Sequence, residues 1–391
     1  MWMAAALAYN RVPRLAVSAA DTDATETGPA NTSPADTSMP FADRIPPRVA
    51  YGTYFLVLAT ALMMGFRYEV GGDWSAYLDN YDQVQLLSFS QALGSFDTGY
   101  ATLEFVAGRL GAGIWLVNLC CALIMTFGIV RFCARQPNPA LSFLVAIPYL
   151  VIVVGMGYTR QGVAIGLILA ALADTGPRAD SHAGPHAGEN QASMTRMVLY
   201  ILAAALFHRT ALLVMPFVLL PVFRRNILYA ICGGLVFALL FYLLLGRSTD
   251  QLITNYVDAD YESSGAVVRV AMNVVPAILA LTLRRRLGYS RYQSDIWSIL
   301  ALVALATVPL VLTASFTTAI DRLALFLIPL QIAILPRIPY IFGASTVPGG
   351  RERMNAQLIL AVCGYSAAVQ LVWLVFATHA RLWVPYQIYK F

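Results

Sequence analysis

Residues 141–173 read LSFLVAIPYLVIVV, then GMGYTRQG, then VAIGLILAALA. Two apolar runs, Leu141–Val154 and Val163–Ala173, flank Gly155-Met156-Gly157-Tyr158-Thr159-Arg160-Gln161-Gly162. Uncharged runs of this kind read as helices in lipid, with a tyrosine, an arginine and a glutamine where the chain turns. A cation there is costly unless it faces protein, water or an anionic ligand. The glycines let the backbone bend or let another segment approach closely. The expectation is a fold that gathers other polar residues at this turn.

Composition agrees with the membrane reading. The chain has 391 residues, 59% of them hydrophobic and 12% charged, about half the charge of a soluble domain. Apolar runs recur along it, so a soluble globular fold is excluded. The formal charge of +5 is to be read by location and does not point to nucleic acid. Lys390 is the single lysine, so nearly all cations are arginines. Cys120, Cys121, Cys133, Cys232 and Cys363 lie in or beside apolar runs without metal-ligand spacing, and are read as packing residues.

The N-terminus stands apart. Residues 1–44 form an extension whose Ser/Thr/Ala/Pro/Asp-rich part reads as disordered. Within it, residues 1–17 could form a short surface helix. Arg11 and Arg14 follow the apolar run, the reverse of a signal peptide. Residues 45–391 then form one polytopic domain.

Eleven membrane segments are expected, at about 48–66, 113–133, 140–156, 161–174, 195–207, 209–223, 227–246, 267–283, 295–314, 319–336 and 357–378. The fold class is all-α. The fourth to sixth segments are short for a crossing, which suits polar ends inside a cavity or a thinned region. Placing the N-terminus inside collects Arg44, Arg48, Arg131, Arg135, Arg224, Arg225, Arg284–Arg286 and Arg337 on the cytoplasmic side. The outer loops then hold fewer cations and the acids Glu69, Asp73, Asp79, Asp82, Asp97, Glu104, Asp250, Asp258, Asp260 and Glu262.

On that topology the polar residues outside the cytoplasmic belt share one face. They include Tyr158, Arg160, Gln161, His208, Arg209, Arg269 and Arg322. Four guanidiniums near one site repel unless an anion holds them, and arginine forks match phosphate oxygens bidentately. A lipid-linked phosphate or pyrophosphate is therefore the natural ligand; the competing reading is snorkelling or pairing with carboxylates. Asp321 is an unsuitable partner for its neighbour Arg322.

His208 is a general-base candidate by its titration range. In the first outer loop Asp73, Trp74, Tyr77 and Tyr81 share roughly one face of an amphipathic helix lying at the interface. Such a face serves either as an interfacial aromatic belt or as a sugar platform. Glu104 in the following helix could serve either arrangement. His182 and His186 lie in a loop broken by Pro185, and Asp258-Ala259-Asp260 is too common a pattern to carry a metal. No metal or organic cofactor is called for.

Val70-Gly71-Gly72-Asp73 with Tyr77 and Tyr81, Tyr158-Thr159-Arg160-Gln161, and Phe207-His208-Arg209-Thr210-Ala211 occur in that order. Asp321-Arg322-Leu323-Ala324-Leu325-Phe326, Leu335-Pro336 and Pro385-Tyr386 follow. This ordered set, from about residue 50 onward, resembles the EpsG family of Wzy-like exopolysaccharide polymerases. The resemblance implies a GT-C-like integral glycosyltransferase of the bacterial plasma membrane, with its active site facing the periplasm or exterior. It would move a growing glycan from undecaprenyl pyrophosphate to the non-reducing end of the next lipid-linked repeat unit.

In that reaction Arg160 is the main diphosphate contact, assisted by Arg209, Arg269 and Arg322. Tyr158 and Gln161 orient phosphate or sugar hydroxyls, and Asp73 or Glu104 binds the acceptor. Asp73 and His208 compete as base. Expected partners are the lipid-linked oligosaccharide, membrane lipids, a chain-length regulator and export machinery. The alternatives are an O-antigen ligase-like or other lipid-linked glycosyltransferase and, from another class, a polyprenyl-linked glycan flippase. A transporter should show polar groups at mid-membrane depth and internal repeats, which the sequence lacks.

Overall fold

A computed structural model describes residues 51–95, 97–175, 189–223, 265–313, 317–343 and 354–390, with isolated positions between 231 and 242. The N-terminal extension, His182, His186, Cys232, Asp258, Asp260, most of the 227–246 segment and all but the last two residues of the 247–266 loop lie outside them. The described residues are mainly helical, and among them pairing between extended segments is limited to one antiparallel bridge, Arg67 to Ile388.

In chain order the helices are α1 (Tyr51–Gly65), α2 (Trp74–Gln85), α3 (Thr98–Arg109) and α4 (Ile114–Cys133). Then come α5 (Pro139–Gly157), α6 (Thr159–Ala173), α7 (Glu189–Phe207) and α8 (Met215–Phe223). The remainder are α9 (Ala266–Thr282), α10 (Arg291–Thr313), α11 (Thr317–Ile341) and α12 (Ala356–Phe376). Five of these, α4, α5, α10, α11 and α12, are long and apolar enough to cross a membrane. Five shorter apolar helices accompany them at 55–65, 159–173, 194–207, 209–219 and 266–282. Each expected segment other than 227–246 coincides with one of these ten.

The first loop is not one continuous helix. It breaks after Gln85 and resumes as Phe89–Leu93, where Ser88 caps Gln91 and Gln91 caps Ser88 in return. Elsewhere polar side chains start helices at the places where four N–H groups lack partners. Asn138 accepts from Leu141 N at 3.0 Å ahead of Pro139, and Asn355 accepts from Gln357 N at 3.0 Å.

Helices α4 and α6 pack at backbone distance. A Cβ on Gly128 would lie 1.8 Å from the Gly166 carbonyl oxygen, so neither position accepts a side chain. In lipid, where burying apolar surface gives no advantage, such close van der Waals approach is what holds helices together. A polar chain ties three more: Gln331 Nε2 donates to Asn273 Oδ1 at 2.8 Å, and Tyr365 Oη donates to Gln331 Oε1 at 3.2 Å.

The bundle has two polar ends. At one, Arg131 pairs with Asp174 at 2.5 Å and Arg284 with Asp295. There the buried Arg337 donates to the Leu287 carbonyl at 2.8 Å, its guanidinium 3.7 Å from the Tyr289 ring centre. At the other end lie the turn 155–162, the start of α11 and the C-terminal tail. A 15-residue helix spans only about 22 Å of an apolar thickness of about 30 Å. Helix α6 is thus shorter than a full crossing, and Asp174, just after it, is held beside Arg131 at the first of these ends. Cys121, Cys133 and Cys363 are buried free thiols among the apolar side chains, and Cys120 is half-buried.

Candidate active site

Helix α5 widens into a π-helical stretch over Ile147–Val154 and ends at Gly157. Such stretches recur beside functional sites because they re-aim the residues that follow. Tyr158 leaves helical geometry (φ −125°, ψ 60°) and Thr159 opens α6. The bend keeps its hydrogen bonds, since Tyr158 N donates to Val154 O and Gly162 N to Tyr158 O, both at 2.8 Å.

Arg160, one residue into α6, donates from Nη1 to Asp97 Oδ2 at 2.9 Å. Its guanidinium also lies 5.4 Å from the Tyr77 ring centre and 5.7 Å from that of Tyr100. A carboxylate on one edge and two aromatic rings thus fix the orientation of a planar cation. The side chain stays 34% exposed, leaving guanidinium surface for a ligand. Tyr77 is 3% exposed; its ring is covered and lies against the Arg160 guanidinium.

The second polar group comes from the turn ahead of α8. Arg209 Nη2 donates to the Ser95 carbonyl at 3.0 Å, and its charge also acts on Asp97. His208 stacks on Phe326 with ring centres 6.2 Å apart, and its buried Nδ1 has no hydrogen-bond partner. Burial first, then the charges of Arg160 and Arg322, pull its pKa down to about 3.

The third group sits on α9 and α11. Arg269 pairs with Asp321, while the adjacent Arg322 lies 5.7 Å from the Tyr158 ring centre. Gln161 Nε2 donates to the Arg322 carbonyl at 2.5 Å, joining the start of α6 to α11.

Asp73 completes the site. Gly71 has φ +113°, and a Cβ there would lie 2.3 Å from the Met156 carbonyl oxygen. Only glycine allows the loop to press against the 155–157 turn, and that contact delivers Asp73. Asp73 precedes α2 without capping it. Burial raises its pKa, opposed by the charges of Arg322 and Arg160. Glu104 lies behind this group, 0% exposed, with Oε2 accepting from Asn80 at 2.6 Å and Oε1 unpartnered. Burial is the main cause that raises its pKa to about 7. Tyr81 is half-buried toward Glu104 and Gly113, off the arginine cluster.

The arrangement brings together Arg160, Arg322, Asp73 and His208, with Arg209 reaching the same Asp97. Arg269, paired with Asp321, adjoins the group through Tyr158, on which Arg269, Asp73 and Arg322 all act. Asp97 and Tyr100, which hold Arg160, were not singled out by sequence reasoning. Asp97 was one acid among many, and only the need of Arg160 for a counter-ion could have marked it. Among the described residues, no three His, Cys, Asp or Glu side chains gather as a metal site would require.

The fold and the site define a multi-pass helical membrane protein with an arginine–carboxylate centre at one end of its bundle. The EpsG family model matches residues 51–388, and the chain belongs to the EpsG family. No curated protein and no solved structure matches it. Family membership implies a Wzy-like polysaccharide polymerase.

Proposed function

We propose that this protein polymerises a lipid-linked exopolysaccharide, transferring a growing glycan from undecaprenyl pyrophosphate to the non-reducing end of the next lipid-linked repeat unit. One observation carries the reading. Asp73 lies under the charges of Arg160 and Arg322, so a proton acceptor adjoins two cations suited to a diphosphate. The acceptor hydroxyl oxygen bonds to the anomeric carbon as the bond from that carbon to the diphosphate oxygen breaks. The electron pair leaves with the diphosphate, whose growing charge Arg160 stabilises, aided by Arg322 and Arg209. Asp73 takes the hydroxyl proton. Between the two base candidates the neutral, buried His208 is the weaker, and it serves in packing against Phe326.

Tyr158 and Gln161 shape the ligand's surroundings through Arg322. Arg269 holds Asp321 in place, and Glu104 and Tyr81 support α2 and α3 behind the site. Residues 45–391 act as one GT-C-like domain of about eleven spans in the bacterial plasma membrane. The Arg131, Arg284 and Arg337 end is cytoplasmic, by the excess of positive charge there. The site then faces the periplasm or exterior, where a lipid-borne diphosphate reaches it. A chain-length regulator and export machinery are the fitting partners.

The test is purified protein in nanodiscs with lipid-diphosphate-linked repeat units. A ladder of products spaced by one repeat supports the reading. A single transfer product points instead to a ligase-like enzyme. No transfer, together with unchanged surface polymer in a strain lacking the gene, would overturn it.

A further inference from the structure

Arg67 lies outside the group that faces a ligand, yet among the described residues it is the most deeply buried charged group but for Glu104. It is 1% exposed, and none of its hydrogen-bond partners is a carboxylate. Nη1 donates to the Met64 carbonyl at 2.7 Å and Nε to the Val70 carbonyl at 3.3 Å. Nη2 donates to Asn118 Oδ1 at 3.0 Å and to Thr159 Oγ1 at 2.6 Å. The guanidinium lies 5.9 Å from the Trp74 ring centre. Its backbone is clamped as well: Tyr68 N donates to Gln387 O at 3.0 Å and Tyr389 N to Phe66 O at 2.8 Å.

Burying a cation among neutral groups costs several kcal/mol unless its N–H groups are satisfied, and a neutral side chain would fill this space at less cost. Two of its donors, Nε and Nη2, end on segments that carry a site residue, while Nη1 ties them to the end of α1. Val70 begins the loop that delivers Asp73, Trp74 is the next residue, and Thr159 is bonded to Arg160 through the main chain. Asn118 anchors all of these to α4.

We propose that Arg67 is a positioning residue: its fork sets the distance between the Asp73 loop and the Thr159–Arg160 start of α6. This inference rests on the polymerase reading for its kinetic consequence but not for its geometry. Lysine keeps the charge and cannot span both branches, and Thr159→Val removes one acceptor at nearly constant volume.

The experiment compares wild type, Arg67→Lys, Thr159→Val and Thr159→Ser in nanodiscs. Hydrogen exchange of peptides covering 68–74 and 158–162 is measured beside kcat and KM on lipid-diphosphate-linked repeat units. Arg67→Lys and Thr159→Val should speed exchange in both peptides and leave the α12 peptide unchanged. They should lower kcat about 10- to 100-fold, since misplacement by about 1 Å costs this much, with KM within about threefold. Thr159→Ser should restore both readouts. Folded Arg67→Lys and Thr159→Val proteins with wild-type exchange and wild-type kcat would overturn the inference while the polymerase reading stood. An inactive wild type overturns that reading instead, and exchange still decides the positioning.

Discussion

Substituting Arg160 by lysine keeps the positive charge and removes the planar fork. In the native site Nη1 is held by Asp97 at 2.9 Å, and the guanidinium packs against Tyr77 and Tyr100. An ammonium can stay on Asp97 or turn to a diphosphate, and it loses much of the packing in either case. The loss is one charge-assisted hydrogen bond of about 1.5–3 kcal/mol and a cation–π contribution of about 0.5–1 kcal/mol. Together these make about 2–4 kcal/mol, which is roughly 30- to 1,000-fold in kcat at about 1.4 kcal/mol per decade. Charge on the diphosphate grows during bond breaking, so KM should move less than kcat. The assay follows ladder formation from lipid-linked repeat units in nanodiscs, with thermal unfolding as the folding control. A folded Arg160→Lys protein within threefold of wild-type kcat would refute the fork's role.

Other outcomes follow from the same geometry. Asp73→Asn should lower kcat by about 10²- to 10⁴-fold, the usual range for a general base; turnover in the wild type should fall on the acid side as the raised Asp73 carboxylate takes up its proton, and a folded Asp73→Asn protein within threefold of wild-type kcat would exclude Asp73. His208→Ala should lose stability through the gap left against Phe326 but keep kcat within about threefold; a loss above 100-fold would return histidine to the chemistry. Glu104, whose pKa rises from 4.5 to about 7 on folding, takes up protons in the folded state, so its contribution lowers stability as pH rises from about 4.5 to 7. Glu104→Gln should flatten that part of the midpoint-versus-pH curve, and an unchanged slope would place the titration elsewhere. Gly71→Ala, which sets a Cβ 2.3 Å from the Met156 carbonyl at positive φ, should abolish turnover before it abolishes expression, read as activity per folded molecule.

Much of the helical plan was legible without coordinates. Apolar runs in lipid must satisfy their own backbone groups, so a run such as Val163–Ala173 has helix as its available form. An arginine between two such runs, as at Arg160, calls for compensation by its cost alone. The alternation of runs and arginine-bearing ends likewise placed ten helices within a few residues.

Contacts across the chain were a different matter. Nothing local distinguishes Asp97 from the other loop acids; it becomes the partner of Arg160 because α3 packs beside α2 and presents it there. Asp321 and Arg322 are neighbours in sequence, yet one serves Arg269 and the other lies over Tyr158, since successive helical side chains diverge. Nothing in the sequence around Tyr77 marked its ring as the one that lies against Arg160. Arg67, one cation among 26 Lys and Arg residues, gave no sign in the sequence of being buried at 1% exposure. Sequence alone determined where helices form and which cations need compensation, because both follow from the energetics of single groups in lipid. Tertiary structure decided which group compensates which, because pairing depends on distances that only the packed helices set.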